Sequence, residues 1–202
     1  RGHVCAGDGK VISTDDGGKT WRESDLGQNY ATTAISFPTK DTGYVSVERE
    51  KENALWRTAD GGRTWASSKM TFGTKPADML QFMTKDSGYV GADIIGTLNF
   101  TTNGGKTFKL KDSYDMKFDD FPTSAYFVNS KIGYVAASKG QMSMTLDAGK
   151  TWTRCDLPDP LYGSRATYFF NKDTGIVVGR DIFRTTNGAS SWSVARPRNE
   201  NY

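Results

Sequence analysis

Apolar and polar positions alternate along this chain in short runs of three to six residues, broken by turns rich in Gly, Asp and Asn. The same order of runs returns four times. One run ends in phenylalanine: Ile35-Ser36-Phe37, Leu80-Gln81-Phe82, Ala125-Tyr126-Phe127 and Tyr168-Phe169-Phe170. A polar turn closing on glycine follows, then a β-branched run: Gly43-Tyr44-Val45, Gly88-Tyr89-Val90, Gly133-Tyr134-Val135 and Gly175-Ile176-Val177. Gly2-His3-Val4 aligns as a fifth copy of that second run, so the first unit begins at its second strand. A third run comes next (Val11-Ile12, Leu55-Trp56, Leu98-Asn99-Phe100, Met142-Ser143-Met144, Ile182-Phe183), and an aromatic residue opens a fourth. Runs this short, rich in β-branched and aromatic residues and separated by turn formers, predict four antiparallel strands per unit. Helical periodicity is absent.

Between the third and fourth runs lies a box that fixes the period. Its copies are 14–21 (TDDGGKTW), 58–65 (TADGGRTW), 101–108 (TTNGGKTF), 145–152 (TLDAGKTW) and a degraded 185–192 (TTNGASSW). Asp16, Asp60, Asn103, Asp147 and Asn187 are spaced 44, 43, 44 and 40 residues apart. A unit of that size cannot bury an apolar face alone, so the units must stack. Four-stranded antiparallel units repeated radially make a β-propeller, which leaves few open sheet edges; a linear β-solenoid is the rival. The chain is therefore read as one all-β propeller domain of about five blades, 1–29, 30–73, 74–121, 122–163 and 164–202, the first incomplete.

Within a box, an Asp or Asn oxygen accepts backbone N–H bonds from its own turn, and Gly supplies the angles other residues resist. The closing aromatics, Trp21, Trp65, Phe108, Trp152 and Trp192, are expected to pack on adjoining strands. Asn103 and Asn187 serve where other copies carry a carboxylate, so this position acts as an acceptor and not as an acid or base.

The pattern Ser/Thr-x-Asp-x-Gly-x-Thr-Trp resembles the Asp-box, or bacterial neuraminidase repeat. With the Phe-ending strand and Gly-Tyr-Val it is most similar to the photosystem II stability/assembly factor family, over essentially the whole chain from Gly2 to about Arg196. The resemblance implies a propeller with its boxes on one rim and a non-catalytic binding role.

Composition narrows the remaining choices. The 202 residues carry 26 basic and 23 acidic side chains, a net charge of +3 with no basic run, which argues against nucleic acid as partner. No apolar stretch reaches the roughly 18–20 residues of a spanning helix. One histidine and two cysteines are too few for a zinc cluster. Cys5 and Cys155 occupy different places in their repeats and read as two semi-buried thiols. Gly-Lys-Thr recurs at 18–20, 105–107 and 149–151, but the earlier glycine of a phosphate-binding loop is missing at Ser13, Phe100 and Met144. No cofactor or metal is expected.

Sialidases share the box, yet their early Arg-Ile-Pro motif is absent, and His3 reads as a strand residue. No catalytic residue is assigned. Antiparallel order places the boxes and the Asp-x-Gly turns on one rim; the opposite rim carries the variable links, where binding loops belong. Its candidates for partner contact are Tyr114, Asp115, Phe118, Asp119, Asp120 and Phe121 in segment 112–124, Tyr162 and Arg165 in segment 156–165, and Glu48 and Arg49 in segment 48–53. Phe118 and Phe121 have a second reading, in which they tuck their segment onto the ring. The expected function is that of a protein-binding assembly factor, adaptor or inhibitor; a glycan-binding or sialidase-like domain is the alternative. The chain opens at Arg1 rather than Met, which with the family resemblance suggests processing and a periplasmic or secreted location.

Overall fold

The structure is a computed structural model, and it describes residues 1–27, 30–49, 52–69, 79–92, 97–111, 116, 118, 122–158 and 163–195. Nineteen strands form five antiparallel sheets among these residues. The first sheet has three strands, β1 (Gly2–Ala6), β2 (Lys10–Thr14) and β3 (Arg22–Asp25). Four four-stranded sheets follow. They are β4 (Ala31–Ser36), β5 (Gly43–Arg49), β6 (Glu52–Thr58) and β7 (Ala66–Lys69); then β8 (Met79–Phe82), β9 (Gly88–Ala92), β10 (Thr97–Thr101) and β11 (Lys109–Lys111). The last two are β12 (Pro122–Phe127), β13 (Gly133–Ala137), β14 (Met142–Thr145) and β15 (Thr153–Arg154), and β16 (Ala166–Phe169), β17 (Gly175–Val178), β18 (Ile182–Thr185) and β19 (Ser193–Val194). Strand order follows chain order in each sheet, as a meander of short links requires. The only helix among the described residues is a 3-10 turn at Ser138–Gly140.

This is the β-propeller class, with each sheet a blade. The strands form two compact units, Arg1–Ile94 with Leu98–Leu110, and Ile95–Thr97 with Lys111–Tyr202. In the first unit β1 lies beside β4, and β4 beside β8; in the second β12 lies beside β16. Within each unit these strands thus neighbour one another, and the cores lie between sheets. One core joins Val11 and Leu26 of the first blade to Val45 and Val47 of the second. Another gathers Tyr134, Ala136 and Met142 with Phe169, Val177 and Phe183.

One contact builds these joints. In both units a tyrosine after a second-strand glycine stacks on the phenylalanine of the next blade: Tyr44 on Phe82 (3.5 Å, 7°) and Tyr134 on Phe169 (3.5 Å, 3°). Its hydroxyl donates to a carbonyl three residues beyond that ring, Lys85 O or Lys172 O, at 2.6 Å in both. The phenylalanine in turn lies over the glycine of its own second strand, since Phe82, Phe127 and Phe169 pair in register with Gly88, Gly133 and Gly175. A Cβ on Gly43, Gly88, Gly133 or Gly175 would meet that ring at 2.0–2.5 Å, so only glycine admits it.

The register corrects one alignment. The last blade's leading triplet is Thr167-Tyr168-Phe169, not Tyr168-Phe169-Phe170: Phe169 is 1% exposed and stacked, whereas Phe170 is 63% exposed. The first blade has its predicted form, with β1 occupying the place of a second strand.

Candidate functional site

The boxes are built alike. The first threonine donates its hydroxyl to the acidic or amide oxygen and accepts the backbone N–H four residues on: Thr14 to Asp16 Oδ1 at 2.8 Å, with Gly18 N–H to Thr14 Oγ1 at 2.9 Å. Asp16 Oδ1 also accepts from Lys19 N and Thr20 N (3.0 and 2.9 Å), and Oδ2 from Thr20 Oγ1 at 2.6 Å. Asp60 and Asp147 repeat the arrangement with Thr64 and Thr151. Where the residue is an amide, the last bond reverses: Asn103 Nδ2 donates to Thr107 Oγ1 at 2.7 Å and Asn187 Nδ2 to Ser191 Oγ at 2.8 Å. The fifth box is therefore intact, with Ala189 in the left-handed region at φ 63° in place of glycine and Ala148 likewise at φ 64° in the fourth.

These bonds decide the chemistry of the boxes. Each carboxylate is saturated by hydroxyl and backbone donors that favour its charged form. The hydroxyl of Thr151 and its N–H hold Asp147 down to about 2, and the matching threonines hold Asp16 and Asp60 well below the usual carboxylate range. A general acid must instead hold its proton near neutral pH. Each of the last four boxes is also tied to the turn between the first two strands of its blade, by Gly61 N to Asp41 O, Gly104 N to Asp86 O, Ala148 N to Lys131 O and Gly188 N to Asp173 O, which fixes both turns on one rim.

The closing aromatics differ in burial. Trp152 is 7% exposed and Trp65 and Trp192 are half-buried, each edge-on to the phenylalanine of its blade (Phe127, Phe37 and Phe169) at 5.9–6.5 Å. Trp192 Nε1 donates to Cys155 O at 3.1 Å. Trp21 departs from the packing expected of it: it is 50% exposed, and among the described residues no leading strand with a phenylalanine pairs with β1. Around the first two boxes Arg1, Arg22 and Arg63 all reach Asp15, and Arg22 and Ser24 donate to Gly61 O and Gly62 O at 2.8 and 2.6 Å.

On the opposite rim the candidates divide. Tyr114, Asp115, Asp119, Asp120, Phe121 and Tyr162 lie outside the described residues. Phe118 is corrected: it is 6% exposed, beside fully buried Met116, whose carbonyl accepts Ser143 Oγ at 2.5 Å. Its ring is buried rather than presented to a partner, the second of its two readings. Arg165 is exposed, with its N–H bonded to Val178 O. Glu48 and Arg49 stand in β5 rather than in a loop, because the β5–β6 ladder runs on to Arg49↔Glu52. Cys5 and Cys155 are free, half-buried thiols, and burial pushes Cys155 up to about 12, so neither is poised as a nucleophile. Among the described residues no group of three or more His, Cys, Asp or Glu could hold a metal ion, and no helix is long and apolar enough to cross a membrane.

Antiparallel blades, each closed by such a self-bonded corner, define an Asp-box β-propeller. The family model described as photosynthesis system II assembly factor YCF48 matches residues 60–199. The chain belongs to that family. Among solved structures it is similar to YCF48 bound to D1 peptide, at 13% identity and a TM-score of 0.55, covering 95% of this chain and 76% of that one. YCF48 from Cyanidioschyzon merolae matches at 14% and 0.54, over 95% and 80%. The Niastella koreensis GH74 enzyme matches at 15% and 0.75, over 99% of this chain and 36% of its own. Identities this low carry the fold alone. No curated protein sequence matches the chain significantly.

Proposed function

We propose that the chain is a non-enzymatic propeller that binds another protein outside the cytoplasm, as an assembly factor, adaptor or inhibitor. The contact surface in this reading is the rim opposite the boxes, with Tyr114, Asp115, Asp119, Asp120, Phe121, Tyr162, Arg165, Glu48 and Arg49 as the candidate residues. One observation carries the non-enzymatic part: the box carboxylates are spent on their own turns, Oδ1 and Oδ2 alike. Membership of the YCF48 family supports a protein partner, since one YCF48 structure holds a D1 peptide.

The test is affinity purification of the tagged chain with mass spectrometry, beside a glycan array and turnover assays on sialosides and polysaccharides. A single stoichiometric protein partner is expected. Tyr162→Ala should weaken its capture while leaving the unfolding midpoint in place. The likeness to a GH74 enzyme favours a glycan-binding or glycoside-cleaving propeller as the second reading. Saturable glycan binding or sugar cleavage would replace the first reading with that one.

A further inference from the structure

Two boxes carry an amide where the others carry a carboxylate, and in both the next residue is glycine: Asn103-Gly104 and Asn187-Gly188. No other asparagine of the chain precedes a glycine. That dipeptide is the least durable setting for a side-chain amide in water. The glycine nitrogen, unhindered by a Cβ on its own residue, can attack the asparagine Cγ and close a succinimide ring. Both amides lie at exposed positions, so solvent base and water reach them.

The closed box holds the reacting atoms in other bonds. Asn103 Oδ1 accepts from Thr101 Oγ1 and Thr107 N at 3.0 and 2.9 Å, and its Nδ2 donates to Thr107 Oγ1 at 2.7 Å. Asn187 is held likewise: Oδ1 accepts from Thr185 Oγ1 and Ser191 N, both at 3.0 Å, and Nδ2 donates to Ser191 Oγ at 2.8 Å. The attacking nitrogens are engaged as well, Gly104 N–H with Asp86 O at 2.8 Å and Gly188 N–H with Asp173 O at 2.9 Å. A backbone nitrogen must give up its proton to become a nucleophile, and here that proton faces a carbonyl of the neighbouring turn rather than solvent. The joint to the preceding blade presses on the same corner: Tyr44 Oη and Lys85 O lie 3.2 and 3.4 Å from where a Cβ of Gly104 would stand. The aspartyl boxes escape this chemistry differently. Asp16 and Asp60 also precede glycine, but an ionised carboxylate is a poor electrophile, and their threonine donors keep both ionised.

We propose that Asn103 and Asn187 are spontaneous modification sites, locked while their boxes are closed and deamidated when a box opens. On opening, the Gly104 nitrogen loses its proton to solvent base and bonds to Asn103 Cγ, the Cγ–Nδ2 bond breaks, and Nδ2 leaves as ammonia. Water then opens the ring to an α-aspartyl or a β-aspartyl residue, with no oxidation or reduction at either step. The α-product is the residue that already fits at Asp16, Asp60 and Asp147, so its box closes again with one added negative charge. The β-product carries an extra methylene in the main chain, which displaces its carboxylate from the N–H of Thr107, so its box stays open. Each site thus records how often its own box has opened, whatever the propeller binds.

The full chain is held at mildly alkaline pH, folded in buffer or unfolded in guanidinium chloride, and digested at intervals for peptide mass spectrometry of both sites. Both asparagines should convert to the acid in denaturant. In the folded chain each should convert at least about tenfold more slowly, since several hydrogen bonds must break together before the nitrogen is free. Thr107→Val removes the acceptor of Asn103 Nδ2 at an exposed position. It should speed conversion of Asn103 about fivefold, the worth of one such bond, and leave Asn187 unchanged. Ser191→Ala should do the reverse. Equal rates in buffer and denaturant would overturn the proposal, and that comparison needs no variant. So would a Thr107→Val chain in which Asn103 is no faster, or in which both sites speed up alike.

Discussion

Replacing Gly175 by alanine tests the packing on which every complete blade depends. The new Cβ would lie 2.5 Å from Cδ1 of Phe169 and 2.6 Å from its Cγ and Cε1, well inside van der Waals contact. The ring has no easy retreat. Tyr134 stacks on it at 3.5 Å, and Trp192 meets it edge-on at 6.3 Å. Its Cγ lies at the root of the ring, so no swing of a flexible end relieves the overlap. Overpacking of this kind costs about 1–3 kcal/mol, and the lower entropy of the unfolded alanine chain offsets about 0.4–1 kcal/mol of it. A net loss of about 1–2 kcal/mol follows. With a urea slope of about 2 kcal/mol per M, the unfolding midpoint measured by tryptophan fluorescence should fall by roughly 0.5–1 M. Gly2→Ala is the internal control, the same repeat position with no ring above it and nearest atoms at 3.3 and 3.9 Å. It should leave the midpoint unchanged or slightly raised. A Gly175→Ala chain as stable as the parent, or a Gly2→Ala chain as damaged as Gly175→Ala, would refute the reasoning.

Three further outcomes follow from the boxes and the first joint. The depressed carboxyls of Asp16, Asp60 and Asp147 contribute stability that is complete above the unfolded value near 4 and lost as pH falls towards 2, since the unfolded chain binds protons first. The thermal midpoint should therefore drop through that window, and changing all three to Asn should flatten the drop while preserving the fold, as Asn103 and Asn187 already do; a slope unchanged in the triple variant would count against this. His3 is held below its ordinary 6.5 by burial first, then by Arg1 and Arg22, with Asp15 opposing. Its share of stability is complete above pH 6.5 and declines below it, and an imidazole titration by NMR with a midpoint at or above 6.5 would contradict the account. Ala189→Gly relieves a left-handed alanine at φ 63° and should raise stability by about 0.5–1 kcal/mol in urea unfolding; a loss would show that the turn is not strained.

The repeat itself was legible because its signals are local. Turn chemistry and the period of four short runs place all five boxes and the second strand of every blade, including β1. The misaligned triplet at Tyr168 was also within reach, since Phe37, Phe82 and Phe127 each precede their glycine by six residues and only Phe169 does so before Gly175. Other features depend on what lies across a gap in sequence. Whether a box tryptophan is covered depends on a leading strand in its own blade, so Trp21 and Trp152 share a motif and differ in exposure, 50% against 7%. For Phe118, among acidic residues, the sequence leaves contact with a partner and burial both open, and its 6% exposure in the structure selects burial. Glu48 and Arg49 look like a charged loop because polar residues on an edge of a long hairpin leave no apolar alternation to read.

The first joint shows what the repeat preserves when residue identity changes. At Tyr44 and Tyr134 one side chain stacks on the next phenylalanine and also donates to the carbonyl three residues beyond it. The equivalent His3 stacks on Phe37 at 3.5 Å and 4°, the same geometry, but its ring nitrogen is engaged with Ser13 Oγ at 2.8 Å. The carbonyl of Lys40, which stands where Lys85 O and Lys172 O stand, is instead satisfied by Arg1 Nη1 at 2.7 Å. Two side chains divide the work of one tyrosine. A carbonyl without its donor loses a hydrogen bond and a ring without its stack loses dispersion on one whole face, and both tasks are met here although no tyrosine is present. That division accounts for the single histidine of the chain: its ring is spent on the stack and its nitrogen on Ser13, and the arginines beside it favour the neutral form that such a stack accommodates. Its position follows from the architecture of the joint rather than from any reaction.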